Sequence, residues 1–106
     1  MNDDNNEDIK QLSVEEARTL MQAGEVIVID IRATPDHENE SIPGARHLTP
    51  DNFEEFLTTT EKDKPVICYC YFGNSSLGVC AALQDHGFTM AFSLAGGFDA
   101  WKNAPA

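Results

Sequence analysis

Apolar residues fall in short clusters along the chain, and the clusters alternate between helical and strand-like spacing. Val14, Ala17, Leu20 and Met21 recur at three- and four-residue intervals, as on one face of a helix. Ser13-Val14-Glu15-Glu16 opens that helix as a capping box, with Ser13 as N-cap and Glu16 reaching back. Gly24 suits its end, and residues 9–12 ahead of it suit a short edge strand. Val26-Ile27-Val28-Ile29 is a continuous β-branched run, the pattern of a strand covered on both faces. Thr34-Pro35 opens one helical turn. Ile42-Pro43-Gly44 is turn chemistry leading to a short strand at 45–48. Thr49-Pro50 predicts a helix through Phe53, Phe56 and Leu57 that closes by Lys62-Asp63-Lys64-Pro65. Val66-Ile67-Cys68-Tyr69 is a second buried strand, and from Cys70–Ser76 a helix runs to about His86, stopped by Gly87. Residues 90–93 form a last short strand, and Gly96-Gly97 turns tightly into a final helix carrying Trp101 as a core anchor. Strands alternating with helices predict an α/β domain with a mainly parallel sheet.

Length and charge narrow this picture. At 106 residues the chain holds one core, read as a single domain over 9–106 behind an acidic, disordered tail at 1–8 that carries four of the acidic residues. The net charge of −11 argues against nucleic acid and anionic membrane surfaces as partners. No apolar run approaches the length of a membrane span. The polar, acidic start is unlike a secretory signal, so the expected location is cytoplasmic.

The chemistry sits with the cysteines. Cys68, Cys70 and Cys80 have neither C-x-x-C nor paired-ligand spacing, and His37, His47 and His86 have no metal-like spacing, so no metal is expected. Cys68, within a strand, and Cys80, within a helix, read as small buried hydrophobes. Cys70 differs, because it ends a buried strand and is followed by Gly73, Asn74, Ser75 and Ser76 before a helix. Ligand sites in open α/β sheets lie at such strand ends. A loop curled around this sulfur turns its N–H groups inward and adds the positive end of the helix, and both favour a thiolate. Gly73 and Asn74 are the residue types that accept left-handed angles. Tyr71 and Phe72 are read as the pocket rim, Ser75 and Ser76 as hydroxyl donors, and Ser76 also as the helix cap. Asp30 and Arg32, at the end of the other buried strand, are read as an ion pair fixing neighbouring loops.

Cysteine-dependent phosphatases share this layout but place an Arg at the sixth position after the Cys. Here that position is Ser76, and no Arg or Lys occurs from Cys70 to Gln84. Phosphoryl transfer would lack its charge clamp, whereas a sulfane sulfur carried on Cys70 is one monoanionic atom that amides alone can hold.

Three motifs carry a resemblance: Val28-Ile29-Asp30-Ile31-Arg32, the loop Cys70-Tyr71-Phe72-Gly73-Asn74-Ser75-Ser76, and Leu94-Ala95-Gly96-Gly97-Phe98-Asp99-Ala100-Trp101. In this order and spacing the chain resembles the single-domain rhodaneses of the bacterial GlpE type. The resemblance implies a five-stranded, mainly parallel sheet flanked by helices and no cofactor. It also implies a two-step reaction, in which Cys70 takes the outer sulfur of thiosulfate or another sulfane-sulfur donor as a persulfide. Cyanide or a thiol acceptor such as thioredoxin then removes it. Phe72 and Leu77 stand where that type carries a His and a Lys, so a relay module fed by a protein persulfide, poorly active on free thiosulfate, is the alternative. His37 and Glu40-Ser41-Ile42 replace the usual aromatic and Gly-His-Ile in the scaffold.

Overall fold

The computed structural model describes residues 9–105; the expected tail at 1–8 lies outside them. In chain order the elements are β1 (Gln11–Leu12), α1 (Val14–Ala23), β2 (Ile27–Asp30), α2 (Thr34–Asn39), β3 (Arg46–His47), α3 (Phe53–Thr59), β4 (Val66–Tyr69), α4 (Ser75–Asp85), β5 (Ala91–Leu94) and α5 (Gly97–Asn103). The capping box closes as its residues dictate. Ser13 Oγ accepts from the Glu16 N–H at 3.1 Å, and Glu16 Oε1 accepts from the Ser13 N–H at 2.9 Å. Such a cap contributes about 1 kcal/mol.

The strands form one sheet in the order β1-β5-β4-β2-β3, and every neighbouring pair is parallel. β1 is an edge strand as expected, and the sheet is wholly rather than mainly parallel. Successive residues of a strand face opposite sides, which divides the core in two. Ile29, Val66 and Cys68 pack with Phe56, Leu57, Cys80 and Leu83 of α3 and α4. Val28, Ile67 and Tyr69 pack on the other face with Ala17 of α1 and Phe98 of α5. Cys68 and Cys80 are fully buried, in accord with their reading as core residues.

Several boundaries move. β2 runs from Ile27 to Asp30, one residue later than its apolar run, and β3 is confined to Arg46 and His47. α3 begins at Phe53 rather than at Thr49, because Asn52 holds the preceding residues in a turn: its Oδ1 accepts from the Thr49 N–H and its Nδ2 donates to the His47 carbonyl. β5 runs one residue later than its apolar run suggests, since the Met90 carbonyl already serves the Val66 N–H at the strand's start.

This topology places a site. From β2 the chain leaves through α2 to β3 on one side of the sheet, and from β4 it leaves through α4 to β5 on the other. The carboxyl ends of β2 and β4 therefore flank a topological switch point, where the connecting loops part and open a crevice. Asp30 and Tyr69 are register partners at that edge, and Arg32 and Cys70 lie just beyond it. Among the described residues no helix is long and apolar enough to cross a membrane.

Candidate active site

Cys70 directly follows the central strand β4 with its side chain buried, and the loop behind it curls back over the sulfur. The Gly73 N–H donates to Sγ at 3.2 Å and the Ser76 N–H at 3.3 Å. Ser76 Oγ lies 3.4 Å from Sγ. Burial pushes the Cys70 thiol up, but the Ser76 hydroxyl and the N–H groups of Ser76, Gly73 and Phe72 outweigh it. The pKa falls below the ordinary cysteine value. These donors stabilise the thiolate, the form of cysteine that acts as a nucleophile.

The curl depends on two glycines. Gly73 adopts φ +100°, and a Cβ there would lie 2.9 Å from the Gly96 nitrogen. Gly97, at φ +60°, lets α5 press end-on against the loop; a Cβ there would come within 2.6 Å of the Tyr71 carbonyl. The contact has an electrostatic result. The Phe98 N–H donates to the Cys70 carbonyl at 2.8 Å, and the Asp99 N–H donates to the Tyr71 carbonyl at 3.0 Å. Those two carbonyl oxygens are bound to α5, which keeps their partial negative charge occupied while N–H groups of the loop turn to the sulfur. The Gly96-Gly97-Phe98-Asp99 motif thus supports the loop chemically as well as sterically.

Three expectations for this segment need correction. Ser76 does not cap α4: it lies inside the first turn, fully buried, and its hydroxyl is committed to Cys70 and to Ser93 at 2.7 Å. Asn74 does not supply a left-handed angle. It is right-handed, at φ −92°, and precedes the helix without a side-chain cap. Ser75 is exposed, and the donors that reach the buried thiol come from Phe72, Gly73 and Ser76 instead. Tyr71 and Phe72 are exposed large side chains, as a rim requires.

Ser93 was not among the residues singled out from the sequence. Its signal is a polar residue in an otherwise apolar strand, Ala91-Phe92-Ser93-Leu94, fully buried in the structure. It pairs in register with Cys68, and its hydroxyl ends a buried chain from Cys70 through Ser76. Cys68 itself is held far above the ordinary thiol value, chiefly by its hydrogen bond with Cys80 and then by burial. It remains a neutral neighbour of the thiolate.

At the end of β2, Asp30 is fully buried and meets a complete set of partners. Arg32 Nε donates to it at 3.0 Å and Arg32 Nη2 at 2.8 Å; Tyr69 Oη donates at 2.8 Å, and His37 Nδ1 lies at 2.8 Å. Burial raises this carboxyl, and Arg32, His37 and Tyr69 overcome it, setting the pKa at about 2. Arg32 Nη2 also donates to the Glu40 carbonyl at 2.5 Å, and Tyr69 Oη accepts from the Ile42 N–H at 3.1 Å. The pair therefore ties α2 and the following loop to the sheet, as an ion pair fixing loops should. His37 stacks on His47 with ring centroids 4.6 Å apart, and His47 donates to the Arg32 carbonyl.

The cysteine cradle sits at the switch point of a five-stranded parallel sheet, and a family model matches the chain's pattern. The rhodanese-like domain family model covers residues 13–104. The chain belongs to the rhodanese-like family. Within that family it is similar to the thiosulfate sulfurtransferase GlpE of Coxiella burnetii, 39% identical over 93 residues that span 88% of this chain and 87% of the relative. The human single-domain sulfurtransferase TSTD1 shares the fold at a TM-score of 0.81, with 20% identity over 91% of this chain and 97% of that one. A Rhodopseudomonas palustris protein described as a possible tyrosine phosphatase also superposes at 0.81, with 28% identity over 95% of this chain and 85% of its own. The family assignment supports sulfurtransferase activity for this rhodanese-like domain.

Proposed function

We propose that this domain moves sulfane sulfur through a persulfide on Cys70, in two half-reactions. The Cys70 thiolate attacks the outer sulfur of thiosulfate; the S–S bond of the donor breaks and sulfite leaves with its electron pair. The new Cys70–S–S⁻ carries one negative charge. Cyanide, or a thiolate acceptor, then attacks the terminal sulfur, and Cys70 leaves as the thiolate. Covalent passage through one cysteine divides the transfer into two displacements and calls for no cofactor.

The observation that supports this reading is the set of donors around Sγ, N–H groups at 3.2 and 3.3 Å and a hydroxyl at 3.4 Å, in a loop with no cationic side chain. Backbone dipoles of this kind stabilise a localised monoanion, in either the thiolate or the persulfide state. A transferring phosphoryl group spreads charge over three oxygens and needs a cation. The run from Cys70 to Gln84 offers none. In this reading Cys70 is the catalytic residue, and the amides of Phe72, Gly73 and Ser76 with the Ser76 hydroxyl form the sulfur cradle. Tyr71 and Phe72 border the approach, Asn74 and Ser75 complete the loop, and Asp30 with Arg32 supports its base. The chemistry and the acidic chain suit a cytoplasmic setting, where thiol acceptors are reduced.

Intact-protein mass after brief thiosulfate treatment tests the proposal. The native protein is expected to gain one sulfur atom that cyanide removes, and Cys70→Ser to gain none while keeping its circular dichroism. Equal gain in both proteins would overturn the assignment of Cys70, and no gain in the native protein would overturn thiosulfate as donor.

A further inference from the structure

The loop around Cys70 borders a cleft of about 230 Å³ that the sulfur cradle does not use. Tyr71 and Phe72, the two residues after the cysteine, form one wall; Asp36, Glu40, Asp99 and Lys102 form much of the rest. All four of those charged side chains are exposed. Arg32 also lines the cleft, but its guanidinium is engaged by the fully buried Asp30 carboxylate at 2.8 Å. The charge left facing the cleft is three carboxylates against one ammonium.

One of these carboxylates is held in place. Tyr71 Oη donates to Asp36 while accepting from the Ala33 N–H at 3.1 Å, so the residue that follows Cys70 in the chain anchors one carboxylate of the cleft. Phe72 adds an apolar contact, 68% exposed at the rim. A dianion such as free thiosulfate meets repulsion here, and a cation is attracted over a distance comparable with the Debye length.

We infer that this cleft selects a positively charged thiol partner, namely a protein cysteine bordered by lysine or arginine, whose basic flank sits among Asp36, Glu40 and Asp99 and whose apolar neighbour covers Phe72. The inference rests on Cys70 being the sulfur carrier and specifies what exchanges sulfur with it. Electrostatic complementarity of this kind acts mainly on encounter rate and partner choice.

Charged methanethiosulfonates test it independently of sulfur transfer, since the Cys70 thiolate displaces sulfinate from them and forms a mixed disulfide directly. The probes are the 2-aminoethyl cation, the neutral methyl compound and the 2-sulfonatoethyl anion, with modification of Cys70 followed by peptide mass. Relative to free 2-mercaptoethanol, Cys70 is expected to favour the cation over the anion by about fivefold at low salt. The preference should shrink in about 0.5 M salt and in the double variant Glu40→Gln, Asp99→Asn. A cation-to-anion ratio equal to that of the free thiol, or one unchanged in the double variant, overturns the inference. Thiosulfate loading on the same samples separates the two claims. Loading without charge preference sinks the cleft alone, and charge preference without loading sinks thiosulfate as donor.

Discussion

Two parallel neighbours, β2 and β4, end at the same edge of the sheet, and each delivers a buried anion there by a different device. Asp30 is satisfied mostly by side chains, from Arg32, Tyr69 and His37, with one backbone N–H from Arg32 at 2.9 Å. Cys70 is satisfied mostly by backbone N–H groups of its own loop, with one hydroxyl. Side chains that surround a carboxylate from several elements lock those elements together, and nothing about that arrangement leaves room for a reacting group. Backbone amides come from one short segment and hold the charge from one side. A thiolate held in that way keeps a free direction for attack. The register explains why the two devices do not interfere. Tyr69 and Cys70 are consecutive, so one serves Asp30 on the α5 face while the other turns towards α4.

If the Asp30 end is structural and the Cys70 end chemical, breaking each should give opposite signatures. Asp30→Asn carries the larger effect. It leaves the Arg32 guanidinium buried without its counter-charge, and such losses cost about 3–5 kcal/mol. The pH dependence gives a second, graded reading. With its pKa lowered from 3.8 to about 2, Asp30 stabilises the fold fully above pH 4. That contribution disappears as the pH falls from about 4 to about 2, because the unfolded chain takes up the proton first. The loss amounts to about 2 kcal/mol. Urea unfolding at stepped pH should show this acid-dependent part in the native protein and not in Asp30→Asn. By contrast Cys70→Ser should change unfolding little while removing sulfur loading, and equal destabilisation by both would erase the distinction.

The sequence made the framework legible because its signals were local. The β-branched run at 26–29, the apolar run at 66–69, the Ser13–Glu16 box and the glycines at 24 and 87 each specify an element from a few neighbouring residues. The curl of the loop over Cys70 was legible too, since Gly73 and the small polar residues after a strand-end thiol let N–H groups turn to the sulfur. What was not legible is long-range. Ser76 has the composition of a helix cap, and only the approach of β5 shows that its hydroxyl is claimed from below by Ser93, 17 residues on. The bond between α5 and the carbonyls of Cys70 and Tyr71 likewise joins segments some 28 residues apart. The start of α3 was misplaced by the side chain of Asn52, whose two partners lie in the turn and in β3.

Within the Cys70 site itself, Ser76→Ala separates the side-chain donor from the amides. The variant keeps the N–H groups of Gly73 and Ser76 and loses only the hydroxyl. The Cys70 pKa should therefore rise, because one hydrogen bond to the charged sulfur is lost. Because the thiolate is the attacking form, the acid limb of the loading rate should move to higher pH, with about a tenfold loss along that limb and little loss on the alkaline plateau. A uniform loss at all pH values would instead mean that Ser76 acts on geometry alone.

The smallest effect is expected from Ser93→Ala, and it decides how the buried chain works. A thiolate can only accept, so with Cys70 ionised Ser76 must donate to Sγ and Ser93 must donate to Ser76. With Cys70 protonated the thiol donates to Ser76, whose own proton can then turn towards Ser93. Ser93 thus influences Cys70 only by orienting the Ser76 hydroxyl, as a positioning residue. Removing it should raise the acid limb by less than Ser76→Ala does, since a polarised hydroxyl is strengthened by only a fraction of its bond. The double variant supplies the discrimination. If Ser93 acts through Ser76, the pH profile of Ser76→Ala, Ser93→Ala should coincide with that of Ser76→Ala alone, a strongly non-additive cycle. Additive shifts would require Ser93 to reach the sulfur by a separate route, and the chain from β5 to the thiolate would not be a chain.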